Sequence, residues 1–283
     1  IANAVGMLAD KIIENKGKKI VLVSLARAGI PIGILVKRYI KFKYGINVPH
    51  YSISIIRGRG IDDNAMKYLL EKYRPQQILF VDGWIGKGAI LNELKKDISA
   101  YEGVSADIAV VADPANVTEL CGTHEDILIP SSCLNSTVSG LISRTFLRDD
   151  IIGRDDFHGA VYYGELTDSD LSYDFIETIE KEFNMENTPD LEKRVESQGI
   201  DEVINIGKNF GIDDINLIKP GIGETTRVLL RRIPWKVLID ERYKGNPQLE
   251  HIVRLAEEKH TPVEYYPLTH YKCCGIIKKL ADA

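Results

Sequence analysis

Cysteine is scarce in this chain, and the few present form neither a metal-binding nor a disulfide pattern. The 283 residues hold four: Cys121, Cys133, Cys273 and Cys274. None stands in a CxxC spacing that would suit zinc, and adjacent cysteines rarely pair with each other. A reduced, cytoplasmic protein is expected. Long apolar runs are missing too. Lys19 to Val36 comes nearest, but Arg27 and Pro31 interrupt it, and it falls short of the ~20 residues that span a bilayer. No membrane partner is expected. An excess of positive charge is also absent: the formal net charge is −5, which excludes a whole-chain basic footprint for nucleic acid. The balance is uneven, however. From 215 onward Lys and Arg number 12 against 8 Asp and Glu, a net of +4 that leaves −9 for the remainder. A mildly basic C-terminal module on an acidic body is a weak hint of an anionic partner. Neither repeats nor low-complexity tracts occur.

The composition is that of an ordinary soluble protein, 44% hydrophobic and 27% charged; it suits one large or two smaller domains. The first half alternates between strand and helix patterns. KIVLVSL (19–25) reads as a buried strand, with Pro31 in the first turn of a following helix. HYSISII (50–56) alternates like a strand, and IAVV (108–111) is another. Repeated β-α units predict an α/β fold with a mostly parallel sheet, whose ligands sit beyond the carboxyl ends of the strands. Arg27, Arg57 and Asp82 all fall just past such ends. A helix is expected from Asn135 or Ser136 to Arg148, and a strand at 127–130. The alternation restarts at 214 and yields a small α/β sandwich with a helical end at 271–280. The expected domains are 1–182, a helical linker over 183–212, and 213–283.

The most informative stretch is ILFVDGWIGKGAI (78–90). An apolar strand ends in Asp82, then Gly83, Trp84, Ile85, Gly86, Lys87 and Gly88 form a glycine-rich turn ahead of a helix. Backbone N–H groups in such a turn can cradle a phosphate, helped by the helix dipole. Trp84 reads as a buried anchor of that turn or as a stacking platform. A sugar-phosphate enzyme is the first expectation.

VSLARAGIPIG (23–33) followed by FVDGWIGKGAI (80–90) resembles the type I phosphoribosyltransferases. The resemblance implies that Arg27, Ala28 and Gly29 hold a pyrophosphate, that 83–88 hold a 5′-phosphate, and that Asp82 is the first acid of a pair binding ribose and Mg²⁺. It also implies that Arg57 and Arg59, in the loop RGRGID, close over the leaving group. Their bland alternative is a solvated basic turn. The departures are Gly83 in place of the second acid and Gly86-Lys87-Gly88 in place of Thr-Thr-Gly. HYSISIIRGRGID, IPSSCLNSTVSGLISRTFLR and DFHGAVYY, together with 80–90, resemble more narrowly the StiP-type, tellurite-resistance-associated stress proteins. That family implies a phosphoribosyltransferase-like domain with an RNA-binding appendage. Phosphoribosyl pyrophosphate, an unidentified acceptor and a possible homodimer are the partners it implies.

Two alternatives stand beside the transferase. One is a sugar-phosphate sensor on RNA without turnover. The other is a cysteine hydrolase, because some StiP-type members are described as cysteine proteases. That chemistry needs a thiolate, a base and an orienting group. Cys133 is its candidate nucleophile, His124 or His158 its base, and Asn135 or Asp156 the orienter. In the transferase reading Cys133, Asn135 and Ser136 belong to an acceptor loop instead.

LIKPGIGETTRVLLRR (217–232), WKVLIDE (235–241) and LEHIVRLAEEKHTPVEYY (249–266) together resemble the Pelota-type RNA-binding domain, related to kink-turn-binding ribosomal proteins. The resemblance implies RNA contact through Gly221, Gly223, Glu224, Arg227 and Arg231, with 268–275 as a second contact loop. Gly223 stands where those relatives carry a base-reading Asn. Arg231 and Arg232 also suit a helix end on dipole grounds alone.

Overall fold

The computed structural model describes residues 1–189 and 195–279. Its first module is a six-stranded sheet in the order β3-β2-β1-β4-β5-β6, with β1 Val21–Ala26, β2 His50–Ile56, β3 Gly60–Ile61, β4 Ile78–Trp84, β5 Ile108–Ala112 and β6 Cys121–Thr123. All neighbours are parallel except the short hairpin partner β3. Strict alternation along the strands builds two cores. Leu22, Leu79, Val81 and Val111 face α1 (Ala2–Lys16), α2 (Ile30–Tyr44) and α6 (Ser172–Glu180). Val21, Val23, Phe80 and Val110 face α3 (Asp63–Lys72) and α4 (Ala89–Ile98). Both faces are covered, so these strands read as continuous apolar runs. The α/β expectation holds.

The second module is a four-stranded sheet in the order β7-β10-β8-β9: β7 Ile218–Pro220, β8 Pro234–Ile239, β9 Val263–Tyr265 and β10 Cys273–Ile277. Helices α7 (Gly199–Phe210), α8 (Ile222–Arg231) and α9 (Glu250–Glu258) pack on it. α7 lies inside the segment expected as a linker, yet its Val203 and Ile206 are fully buried beside Ile218 and Leu238. The preceding stretch is tied to the first module: Tyr39 donates to the Asn184 carbonyl at 2.6 Å and Asn187 to Asp10 at 2.9 Å. Residues 190–194, the middle of that segment, lie outside the described residues.

Two expected helices are absent. Asn135 caps only a short 3₁₀ turn, Ser136–Val138, because Gly140 and Leu141 turn left-handed at φ 74° and 57°. The chain then runs as a loose antiparallel pair through Ile142–Tyr162 and Phe146–Gly159. The 127–130 segment leads instead into a single helical turn, α5 (Pro130–Cys133). The expected helix over 271–280 is the central strand β10, paired on both sides. Gly275 lets the strand pack closely there, since a Cβ would stand 3.2 Å from the Thr225 Cα of α8, a tight contact.

Candidate functional site

The two modules meet along the carboxyl ends of the first sheet, where ligands are expected. The glycine-rich turn after β4 is there, but the second module occupies it. Lys87 Nζ donates to the Ile215 and Ile218 carbonyls at 2.9 and 3.0 Å. Burial and the neighbouring Lys219 pull its ammonium down to about 8. Tyr271 donates its hydroxyl to the Gly86 carbonyl at 2.6 Å. The Trp84 ring lies against Gly221, where a Cβ would be 2.8 Å away; it anchors the junction rather than stacking on a base. Ile85 is buried and Gly88 is left-handed at φ 86°. The turn has the local geometry of a phosphate cradle, and its cation is already spent on protein carbonyls.

Asp82 offers one carboxylate, whose Oδ1 accepts the Gly83 N–H at 2.7 Å. Burial pushes it up to about 7, with that bond pulling the other way. A second acid at position 83 would crowd its neighbours, because a Cβ there would stand 2.2 Å from Ser132 Oγ and 3.1 Å from Ile129, both of which would have to shift. Mg²⁺ requires near-octahedral oxygen coordination, and this donor set does not fit it.

Arg57 and Arg59 sit in the tight β2–β3 hairpin, closed by Arg59 N–H to the Ile56 carbonyl at 2.9 Å. Arg59 donates to the Leu147 carbonyl at 3.3 Å and faces Asp149 at 4.0 Å. These contacts tie it to the 142–162 excursion. Gly29 is needed after Arg27 and Ala28, since a Cβ there would be 2.6 Å from the Val81 carbonyl. Arg27 donates to Ser139 Oγ at 3.1 Å and the Leu134 carbonyl at 3.4 Å.

Cys133 lacks the partners a nucleophile needs. Burial pushes its thiol up to about 11, and its Sγ donates to the Pro130 carbonyl at 3.7 Å. The histidines considered as its base lie elsewhere: His158 pairs with Ser54 at 2.8 Å and His124 with Cys121. Asn135 is turned to Thr137 and Asp156 to Gly153. None of these four groups is hydrogen-bonded to Cys133.

A second cysteine with a histidine beside it lies at the far edge of the sheet. Parallel pairing of β5 with β6 sets Val110 beside Cys121 and Ala112 beside Thr123, so Asp113 and His124 leave the two strands side by side. Cys121 Sγ stands 3.3 Å from His124 Nε2. His124 Nδ1 meets the Asp113 carbonyl at 2.9 Å and its carboxylate at 3.8 Å. A proton on Nδ1, donated to that carbonyl, leaves Nε2 as the acceptor facing the thiol. Asp113 is itself pinned, because its Oδ2 accepts the Val117 and Thr118 N–H groups at 2.7 and 2.8 Å. Lys11 donates to the Cys121 carbonyl at 2.8 Å, bringing a positive charge to the residue that carries the thiol.

Cys121 is fully buried, while the His124 side chain is 24% exposed. The ring forms part of the wall of a cleft of about 350 Å³ between the modules, with Lys11, Asn116, Arg242, Tyr243 and His270 opposite and around it. One ligand atom from each of Asp113, Cys121 and His124 lies within 4.8 Å of the others, a spacing that could also hold a metal ion. Sequence reasoning reaches His124 only as a base for Cys133 and misses Asp113 and Cys121. The signal present in the sequence is C-x-x-H directly at a strand end.

The expected RNA edge is partly covered. Gly221 turns left-handed at φ 88° ahead of α8, and the Ile222 N–H donates to both Asp126 oxygens at 3.0 and 3.2 Å. Asp126 also accepts the Lys272 N–H at 2.9 Å, and burial pushes it up to about 6 against these bonds. A Cβ on Gly223 would be 3.3 Å from that of Cys133. Glu224 pairs with Arg227 at 2.7 Å, and Arg231 is exposed. Of the second contact loop, Leu268 donates its N–H to Asp240 at 2.8 Å and Lys272 is buried.

The family model described as tellurite-like stress resistance cysteine protease StiP matches residues 1–180. The model described as PELOTA RNA binding domain matches residues 197–279. A protein of Acinetobacter baylyi named cysteine protease StiP is 33% identical over 301 residues, covering 99% of this chain and 78% of the relative. Among solved structures, a hypoxanthine-guanine phosphoribosyltransferase of Bacillus anthracis superposes with TM-score 0.33 and 18% identity, covering 43% of this chain and 74% of that one. An HGPRT-ase of Leishmania tarentolae, in complex with GMP, gives 0.31 and 13%, covering 43% and 72%. Likenesses this low carry no functional argument. The transferase expectation is therefore corrected: the whole-length relative and the family model are described as a cysteine protease, and the turn that suggested the transferase is filled by the second module. Among the described residues no helix is long and apolar enough to cross a membrane.

Proposed function

The chain belongs to the StiP family, and we propose that it is a thiol-dependent peptide hydrolase with Cys121 as nucleophile, His124 as base and Asp113 as the group that orients the ring. The observation that carries this reading is the 3.3 Å contact between Cys121 Sγ and His124 Nε2. Nucleophile within reach of a base, and base held by a third group, is the arrangement acyl transfer needs. The Cys121 proton passes to Nε2 as Sγ attacks the peptide carbonyl carbon. The C–N bond breaks and the departing nitrogen takes the proton from Nε2. Water then gives a proton to Nε2 and attacks the thioester; the acid leaves, and the proton returns to Sγ.

In this reading substrate approaches from the interdomain cleft, which the His124 ring lines; Cys121 itself is buried, so attack requires a local opening beside that ring. The second module supplies the opposite wall through Arg242, Tyr243 and His270. The RNA-binding module thus stands at the mouth of the proposed protease site, and RNA is a ligand of the same chain in this reading.

The test is hydrolysis of an unfolded protein substrate by wild type, Cys121→Ala and Cys133→Ala. Loss in Cys121→Ala alone, with trapping of an acyl group on Cys121 by mass spectrometry, supports the assignment. Full activity in Cys121→Ala with loss in Cys133→Ala overturns it.

A further inference from the structure

The amino end of α8 is where the resemblance to kink-turn proteins puts RNA, and here it is closed. Asp126 caps it with a carboxylate, and Gly221 and Gly223 lie against Trp84 and Cys133 of the first module. An incoming phosphate would have to displace a buried acid that already fills the anion's place at a helix N-terminus. The cations further along the helix stay accessible. Arg227 is half-buried and Arg231 and Arg232 are exposed.

Those cations do not stand alone. α5 packs on α8, and Arg27 reaches just beyond α5 to Leu134 and Ser139. The excursion after Leu141 adds Arg144, which is exposed. Only Arg227 has a carboxylate partner, Glu224; among the described residues no acid lies within ion-pair distance of Arg27, Arg144 or Arg231. Their proximity is felt electrostatically. The Arg27 guanidinium is held below its ordinary value first by burial and then by Arg144, Arg231 and Arg227. Like charges gathered without counter-charges destabilise a fold unless an anion joins them.

We infer that Arg27 and Arg144 of the first module and Arg227 and Arg231 of α8 form one surface for the phosphate backbone of RNA, built jointly by both modules. This rests on the reading that 197–279 bind RNA and is independent of the protease assignment. It enlarges the RNA site beyond the matched module and moves it from the start of α8 to its arginine-bearing side. Guanidinium forks suit phosphate oxygens and carry no base information, so binding is expected to depend on salt more than on sequence.

The experiment is fluorescence anisotropy of the full chain with a mixed-sequence single-stranded RNA, titrated across a range of salt. Arg144→Ala is the leading variant because Arg144 is exposed and its loss leaves the fold intact. It is expected to weaken binding several-fold at low salt and to reduce the log–log salt slope by ~0.7. Arg27→Ala, Arg227→Ala and Arg231→Ala do the same, and Arg27→Lys, which keeps the charge, retains the wild-type slope. Arg254→Ala, on α9, leaves both unchanged. The inference is overturned if Arg144→Ala and Arg27→Ala bind as wild type while Arg227→Ala and Arg231→Ala do not, since RNA would then be confined to the second module. Competition by millimolar inorganic phosphate as effective as by RNA would make this a small-anion site and overturn it too. Absence of RNA binding by wild type would remove the RNA reading itself along with the surface.

Discussion

Two places on the rim of one sheet each carry an aspartate at a strand end and meet opposite fates. At the end of β4 stand Asp82, a glycine turn and Lys87. At the ends of β5 and β6 stand Asp113, Cys121 and His124. The second module presses its β7 approach, Gly221 and Tyr271 into the first place, so that Lys87 faces carbonyls and Asp82 stays enclosed. At the second it leaves a cleft, and the His124 ring keeps an exposed edge on it. Local motif chemistry fixes what a loop could bind, and the neighbouring module decides whether it can.

The sharpest way to break this comparison is at the histidines. His124→Ala is expected to lower kcat/KM for peptide hydrolysis roughly a thousandfold, as loss of a base from a nucleophile–base pair does. His158→Ala, which removes only the partner of Ser54, is expected to stay within about twofold. Equal losses would mean that the two ends of the sheet are not functionally distinct.

The next effect is on stability, and it reads the sealed side through Asp126. Its folded pKa, about 6, is raised above the ordinary value of 3.8. The folded state therefore holds this proton more tightly than the unfolded chain does. Its contribution to stability is fully present below about pH 4 and is lost as pH rises through about 6. The shift corresponds to roughly 3 kcal/mol. Urea midpoints measured from pH 4 to pH 8 should carry this falling component, and Asp126→Asn should flatten it. An unchanged pH profile in that variant would show that Asp126 is not enclosed by the junction.

Lys87→Met sharpens the same side. It leaves the Ile215 and Ile218 carbonyls without their donor, a loss of about 1–3 kcal/mol, with hydrolysis unchanged once the folded fraction is accounted for. A drop in kcat beyond the unfolding would bring the β4 turn back into the functional site.

Sequence reading succeeds where one local cause dominates. The strands of the first sheet are buried on both faces, so β1, β4 and β5 show as apolar runs, and Gly88 announces the turn it makes. It fails where a partner decides. β10 reads as helical because Cys273, Cys274, Ile276 and Ile277 have no clean period of two; its strand state comes from pairing with β7 and β8 on either side. β6 is only three residues long, and its Cys121 is buried through contact with β5. The Cys121–His124 pair is legible as a spacing, but Asp113 joins it only through parallel register. Cys133 draws attention because an expected helix start beside it could lower its thiol pKa, and only the packing of α5 on α8 reveals that it is buried without a base.

Cys133→Ser is the smallest expected effect and the finest test of the contrast between the two cysteines. A thiol pushed up to about 11 by burial stays protonated at neutral pH. It acts as a small packed group whose one donor meets the Pro130 carbonyl. A serine hydroxyl can make the same bond in nearly the same volume, so the cost is about 1 kcal/mol or less. Hydrolysis should keep its kcat and KM. Alkylation gives the complementary readout: both thiols are buried, and under mild conditions that admit a small reagent such as iodoacetamide to them Cys121 should react ahead of Cys133, because His124 can take the Cys121 proton while no base faces Cys133. Modification of Cys133 first, with activity lost in step, would reverse the assignment of the two sites.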